Sequence, residues 1–289
     1  MTTPATLAEP ASEPVAERTA RRPVRPGALL ACAFLVLLGV AAAAPGLLAH
    51  GSPDTASALD ILRPPGSGHP LGTDQNGRDL YTRIVYGTRG SVLTGLAATA
   101  LSLTAGILLG SVGALGGRLA DTVVMRLVDV LLAVPGMVMA LVVITVAGAG
   151  TVNSVVAIAV IGVPGYARLI RGQILVVRRS AYVEAAVALG TRPARIAVRH
   201  VIPNALPPVL LFATIGTGAA IGAEAALSFL GLGPRPPAPQ WGAMLQQGQE
   251  YFSVAWWTAV VPGAALTLTV LSVTVTGQYL QRRFEGRSR

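Results

Sequence analysis

The chain has 289 residues, 52% of them hydrophobic and only 12% charged, with a mean hydropathy of +0.61. An ordinary soluble domain is about one-quarter charged, so this composition excludes one and leaves room for several helices of about 20 apolar residues. All 22 basic residues are arginine against 13 acidic residues, and they form no single patch of the kind that holds nucleic acid.

In chain order, residues 1–26 carry Ala, Pro, Glu, Thr and Arg without an apolar period and read as a disordered cytoplasmic tail. Arg21-Arg22 before an apolar run imitates a twin-arginine signal. The run from Leu29 to Ala49 is too long for a signal core, however, and reads as an uncleaved transmembrane helix within 27–50. The single cysteine, Cys32, lies inside it, so neither a disulfide framework nor a cysteine metal cluster is available. An external loop follows over 51–91, containing Gly72-Thr-Asp-Gln-Asn-Gly-Arg-Asp79. His50 and His69 have no carboxylate cluster at ligand spacing, and no metal site is expected.

The remaining spans fall at about 92–115, 127–147, 153–171, 206–229 and 256–278, six with the first, inside a core over 92–280. Pro45, Pro135, Pro164 and Pro262 are tolerable in lipid, where neighbouring helices satisfy the freed backbone groups. Arg168 and Arg171 enter the end of the fourth span, where they can snorkel to the headgroups. A loop over 230–255, rich in Pro and Gly, reads as irregular. Residues 281–289 form a basic tail.

Arginine placement sets the orientation. With the N-terminus inside, Arg18, 21, 22, 25, 118, 126, 168, 171, 178, 179, 192, 195, 199, 282, 283, 287 and 289 fall on the cytoplasmic side. Only Arg63, 78, 83, 89 and 235 fall outside, so both termini are expected to be cytoplasmic.

The inner loop over 172–205 carries an alanine-rich helix former around Glu184, Ala185 and Ala186, with Ser180 as N-cap and Gly190 as terminator. A second helix begins near Pro193, capped by Thr191 or Arg192, with Arg192, Arg195 and Arg199 at helical spacing. The residues alone leave two readings evenly poised: a helix lying on lipid headgroups, or a small-residue helix seated in a groove of another protein.

Among the other candidates, Glu224 stands inside the fifth span, where an ionisable group is costly. It either lines a pathway, pairs with an arginine, or is satisfied locally. Arg126 and Asp129 read as a local helix pair or a contact to the inner loop. A chain without lysine carries no phosphate-binding Gly-Lys-Ser/Thr loop. No span contains histidine and Ser228 lacks a Gly-x-Ser-x-Gly setting, so no catalytic residues are expected. An ion-driven secondary transporter would show inverted repeats and several mid-membrane ionisable groups, and neither is evident.

Glu184-Ala-Ala through Gly190, then His200 and Pro203, resembles the signature of type I ATP-binding-cassette (ABC) importer permeases. Three further segments resemble the dipeptide, oligopeptide and nickel branch, in particular its C-type subunit: His69–Asp79, Met125-Arg-Leu-Val-Asp129 with Pro135, and Leu227–Gly233 through Trp241-Gly-Ala-Met-Leu245. Together they cover about residues 69–275.

The resemblance implies an all-α, six-span, MetI-like multi-pass fold in a bacterial inner membrane. It implies a heterodimer with a homologous permease, two ATP-binding subunits that hold ATP and Mg, and an external solute-binding protein. The cargo would be a dipeptide or oligopeptide, the alternative being nickel or a metal complex. Tyr182, Glu184, Ala185, Ala186, Gly190, Arg195, His200 and Pro203 would couple to the ATPase, while Asp74, Arg78, Asp79 and Trp241 would form an external interface.

Overall fold

The computed structural model describes residues 26–233 and 237–285. The N-terminal tail up to residue 25, Arg235 and the last four residues of the basic tail lie outside the described residues. Among the described residues the ten α-helices are α1 (Pro26–Ala43), α2 (Leu80–Leu115), α3 (Gly117–Ala133), α4 (Gly136–Ala147), α5 (Thr151–Val177), α6 (Ala181–Ala188), α7 (Pro193–Ile196), α8 (Ile202–Phe229), α9 (Trp241–Gln249) and α10 (Trp257–Glu285). Among the described residues, the only β-type pairing is one isolated bridge, Thr73 with Asp79.

Among the described residues, five helical stretches are long and apolar enough to cross a bilayer singly: α1, α2, α5, the α7–α8 stretch and α10. The third expected span is instead a broken pair, α3 and α4, bent by 95°. Pro135 is the cause: it lacks an N–H and forces Val134 into an extended conformation (φ −90°, ψ 129°). At 1.5 Å per residue, the 12 residues of α4 reach only about 18 Å, short of the roughly 30 Å hydrocarbon core.

Other boundaries also differ from the sequence reading: α3 starts at Gly117 rather than 127, α5 runs on to Val177, and α10 continues through Glu285 into the segment read as a basic tail. α1 stops at Ala43, ahead of Pro45, rather than running to 49. α2 begins at Leu80 rather than 92, so its first turns belong to the segment read as loop. Arg83 and Arg89 mark where this 36-residue helix leaves the apolar zone, not where the helix ends. The Asp79 side chain caps it, accepting the Thr82 N–H at 2.8 Å. Finally, α9 occupies part of the 230–255 loop, because Trp241 and Met244 supply a buried face after the proline run.

The centre of the bundle is the α2–α5 contact. Ala98, Ser102, Gly106, Gly110 and Ala114 recur every four residues on α2 and are all buried. Small side chains let the two backbones approach closely, which is what drives helix association in lipid. A Cβ on Gly106 would lie 2.5 Å from Tyr166 Cβ, and one on Gly110 only 2.2 Å from the Ala167 carbonyl oxygen. Ser102 Oγ also reaches the Ala159 carbonyl across this contact, at 3.1 Å. α8 and α10 flank the pair, and α1 lies against α10 and α2.

Candidate functional site

At one end of the bundle, α6 and α7 form a hairpin that stands on the core without merging into it. α6 ends in a Schellman motif: the Thr191 N–H donates to the Ala186 carbonyl at 3.1 Å and the Gly190 N–H to Val187 at 2.9 Å. The motif needs the left-handed φ of +72° at Gly190, a conformation that glycine adopts without strain. Ser180 occupies the N-cap position, but its hydroxyl donates to the Val177 carbonyl at 2.6 Å instead of capping. Arg192 precedes Pro193 at the start of α7 without a side-chain cap.

Three apolar side chains fix the hairpin. Val183, Ile196 and Val201 are buried in one cluster with Ala114, Tyr166, Ile170, Ile174, Ala205 and Val209. That cluster joins the hairpin to α2, α5 and α8. The chain then enters α8 through a π-helical turn, Ala197–Val201. Pro203 lacks the N–H that would bond the Arg199 carbonyl, and the turn widens there. Asn204 Nδ2 donates to the His200 carbonyl at 2.6 Å, which holds the junction.

The opposite side of the hairpin faces outward. Tyr182, Glu184, Ala185, Arg195 and Pro203 are exposed, while Ala186 and His200 are half-buried. Val187, Val198 and above all Leu189, 85% exposed, add apolar surface around the bend. Sequence reading named the polar signature residues and missed Val183 and Ile196, the anchors, as well as Leu189. The surface is thus apolar at the bend with arginines 192, 195 and 199 beside it.

Two ion pairs brace the same end. Arg171 grips Asp121 with two nitrogens, Nε at 2.5 Å and Nη2 at 2.6 Å, and Arg168 Nη2 donates to Asp129 Oδ1 at 2.6 Å. Both tie α3 to α5. The expected Arg126–Asp129 pair is therefore replaced: Asp129 turns to α5 and Arg126 points to the exposed side. Arg178 Nη1 closes the end of α2 by donating to the Ala114 carbonyl at 2.9 Å.

The other end holds a polar segment folded on itself. Asp74 Oδ1 accepts the backbone N–H groups of Asn76 and Arg78 at 2.8 and 2.9 Å, an Asx-type turn, and Arg78 Nε donates to Oδ2 at 2.7 Å. Arg83 Nε lies 3.6 Å from the same oxygen. Its Nη1 donates to the Pro53 carbonyl at 3.0 Å and its Nη2 to Pro237 at 3.4 Å. Asp79 also sits 3.0 Å from His69 Nδ1. Asp60, half-buried, is held below the usual carboxylate range by a Ser57 side-chain hydrogen bond and then by Arg63.

Asp74, Arg78 and Asp79 are thus engaged inside the chain, and the Trp241 side chain is wholly buried. The Trp241 ring N–H donates to the Ile84 carbonyl at 3.0 Å, and its backbone N–H to Ser91 Oγ at 3.1 Å. These residues shape the surface at this end rather than forming it. Replacing Asp74 with Ala removes the counter-charge of buried Arg78 and leaves buried Arg83 with Asp54 alone, and breaking a buried pair costs about 3–5 kcal/mol. Thermal unfolding in detergent should show a large drop in Tm for Asp74→Ala. An unchanged Tm would mean the cluster is solvated.

Glu224 is fully buried near the end of α8. Ser228 Oγ donates to its Oε1 at 2.7 Å and lies 3.3 Å from Gln240 Oε1. No arginine pairs with it among the described residues, so the partner is a local hydroxyl. Glu224 Oε2 and Gln240 Nε2 have no hydrogen-bond partner among the described residues. Glu224→Gln preserves the contact to Ser228 and is expected to keep Tm within about 1 kcal/mol equivalent. Glu224→Leu removes the acceptor at 2.7 Å and leaves Ser228 only the longer contact to Gln240, a loss of about 1 kcal/mol. Equal losses in the two variants would show that the Ser228 contact contributes nothing.

The model of the family described as the binding-protein-dependent transport system inner membrane component matches residues 102–289. The chain belongs to that family. A putative peptide transport system permease protein of Brucella suis is 35% identical to this family member over 270 residues, 93% of this chain and 91% of that protein. A probable D,D-dipeptide transport system permease protein of Escherichia coli K12 is 38% identical over 231 residues, 80% of this chain and 77% of that one. Among solved structures, the inward-facing MetNI methionine ABC transporter aligns with a TM-score of 0.56 at 19% identity, covering 70% of this chain and 95% of that chain. At that identity the likeness concerns the fold: this inner membrane component has the importer-permease helix arrangement.

Proposed function

We propose that this permease subunit belongs to an ABC importer of dipeptides or oligopeptides and takes its driving energy through the α6–α7 hairpin. The observation that carries this reading is the hairpin itself. It is seated on the bundle by Val183 and Ile196 and offers Leu189, Val187, Val198 and Tyr182 to a partner. An apolar protrusion of that kind fits a groove on another protein, and the neighbouring arginines give it electrostatic register.

Two ATP-binding subunits would dock there, with ATP and Mg held on those chains. A homologous permease would complete the pathway as a heterodimer, and an external solute-binding protein would deliver the peptide. The arginine asymmetry supports a cytoplasmic hairpin and cytoplasmic termini in a bacterial inner membrane. The peptide cargo is supported by the names of the relatives.

Closure of the ATPase pair would move the hairpin. Because its anchors sit among residues of α2, α5 and α8, the displacement would pass to these helices as rigid-body rocking. The test is reconstitution with the neighbouring gene products in proteoliposomes. Labelled dipeptide uptake should require both ATP and the binding protein. Uptake that survives ATP depletion but collapses with an ionophore would replace this reading with an ion-driven transporter.

A further inference from the structure

Between α1 and α10 runs an open groove of about 570 Å³, lined by Gly27, Phe34 and Leu37 on one wall and Leu268, Leu271 and Val275 on the other. Ser272 is the one hydroxyl side chain among its lining residues. At the α1 start, Gly27 leaves the wall open, since a Cβ there would meet nothing within 4 Å. Arg282 follows Val275 by seven residues, two turns further along the same face of α10, and Arg283 stands beside it; both are exposed. Neither is in an ion pair among the described side chains. Arg283 lies over the Tyr279 ring at 5.0 Å, a cation–π contact that sets the direction of its guanidinium.

We infer that this groove is a binding site for one anionic phospholipid, its acyl chain between α1 and α10 and its phosphate on Arg282 and Arg283. Dimension selects the occupant. From Gly27 to Leu37 the groove follows ten helical steps, about 15 Å at 1.5 Å per residue. That is half of the roughly 30 Å hydrocarbon core, the depth of one leaflet. A partner's transmembrane helix would need a groove of full depth. Charge then selects the headgroup: a basic site at the end of an interhelical groove favours an anionic lipid over a zwitterionic one. Arginine suits the phosphate because its planar fork donates two parallel hydrogen bonds.

The site does not depend on which cargo the protein carries or on where an ATPase docks. It requires only that α1 and α10 lie in a bilayer.

The test uses the complete complex, purified and exchanged into nanodiscs holding phosphatidylglycerol and phosphatidylcholine in equal amounts. Retained lipid is read by native mass spectrometry after mild delipidation. Two arginines at a membrane surface should give phosphatidylglycerol a preference of roughly tenfold or more. The double variant R282Q/R283Q should lose that preference while still holding lipid. Gly27→Phe, which fills the open mouth, should lower retention of both lipids with an unchanged melting profile. Equal retention of the two lipids by the unaltered complex would overturn the proposal, as would retention and preference unaffected by either variant. The lone Cys32 beside the groove allows a further check. Its cross-linking to a second permease chain, with no lipid retained, would assign the groove to protein.

Discussion

Replacing Leu189 with Glu is expected to abolish ATP-driven uptake while leaving the chain folded and inserted. The two halves of that outcome come from different physics. Leu189 is 85% exposed and follows the end of α6, so a carboxylate there meets water and disturbs no packing in this chain. On the partner side the same carboxylate would enter a surface formed around an apolar side chain. An unpaired buried charge at the centre of an interface removes a hot-spot contribution of about 2 kcal/mol or more. Affinity would fall roughly thirtyfold or beyond. Pull-down of the ATPase subunits measures the loss directly, and size-exclusion behaviour of the variant checks the fold. Val183→Glu is the instructive contrast. Val183 is buried in the cluster that seats the hairpin, so that variant should lose hairpin structure as well as coupling.

Gly110→Leu carries the largest expected cost to the fold. The added Cβ would fall 2.2 Å from the Ala167 carbonyl oxygen and 2.4 Å from Ile170 Cγ2. The first obstacle is backbone, so no rotamer change relieves it; α2 and α5 must separate. Overpacking commonly costs about 1–3 kcal/mol and more when the backbone must shift. Against a total stability of about 5–15 kcal/mol, a variant that opens the central contact should yield little monodisperse protein. Gly222→Ala is the control, because a Cβ at that exposed position of α8 meets nothing within 4 Å. Its Tm should hold or rise slightly, as Ala favours helix over Gly by about 1 kcal/mol. Comparable yields for the two variants would show that the small-residue stripe does not set the packing.

Much of this architecture could be read from residues alone, and the exceptions have identifiable causes. Hydropathy located the spans because length and apolarity are what a bilayer demands. It misplaced the start of α2, since Arg83 looks like a loop residue until Asp74, Asp54 and the Pro53 carbonyl are seen around it. It joined α3 to α4 because the apolar pattern continues through Pro135, whereas the chain turns by 95° there. α9 was hidden behind a proline run, although Trp241 and Met244 at a three-residue spacing were its signal.

The hairpin shows the same division. Its helix–bend–helix order, its glycine terminator and the entry at Pro193 were all legible, because caps and turns act locally. Which side chains would face inward was not. Val183 and Ile196 are separated by the bend, and only the folded bundle brings them into one cluster. Similarly, nothing in the spacing of Arg126 and Asp129 could show that Arg168, 39 residues on, would claim the carboxylate. Glu224 was visible as a costly group, and its partner Ser228 lies one turn further along the same helix, but the approach of Gln240 to Ser228 from twelve residues on was not legible.

The coupling role of the hairpin is tested most directly by where its exposed face goes in the assembled complex. A Leu189→Cys substitution in a Cys32→Ser background gives a single reactive thiol at the bend, since Cys32 is the chain's lone cysteine. With a short thiol-reactive photo-cross-linker attached, the account predicts an adduct with an ATPase subunit, at a yield that changes when ATP is bound. An adduct formed with lipid alone, at the same yield with and without the ATPase subunits, would make the hairpin a membrane-surface element and contradict the account.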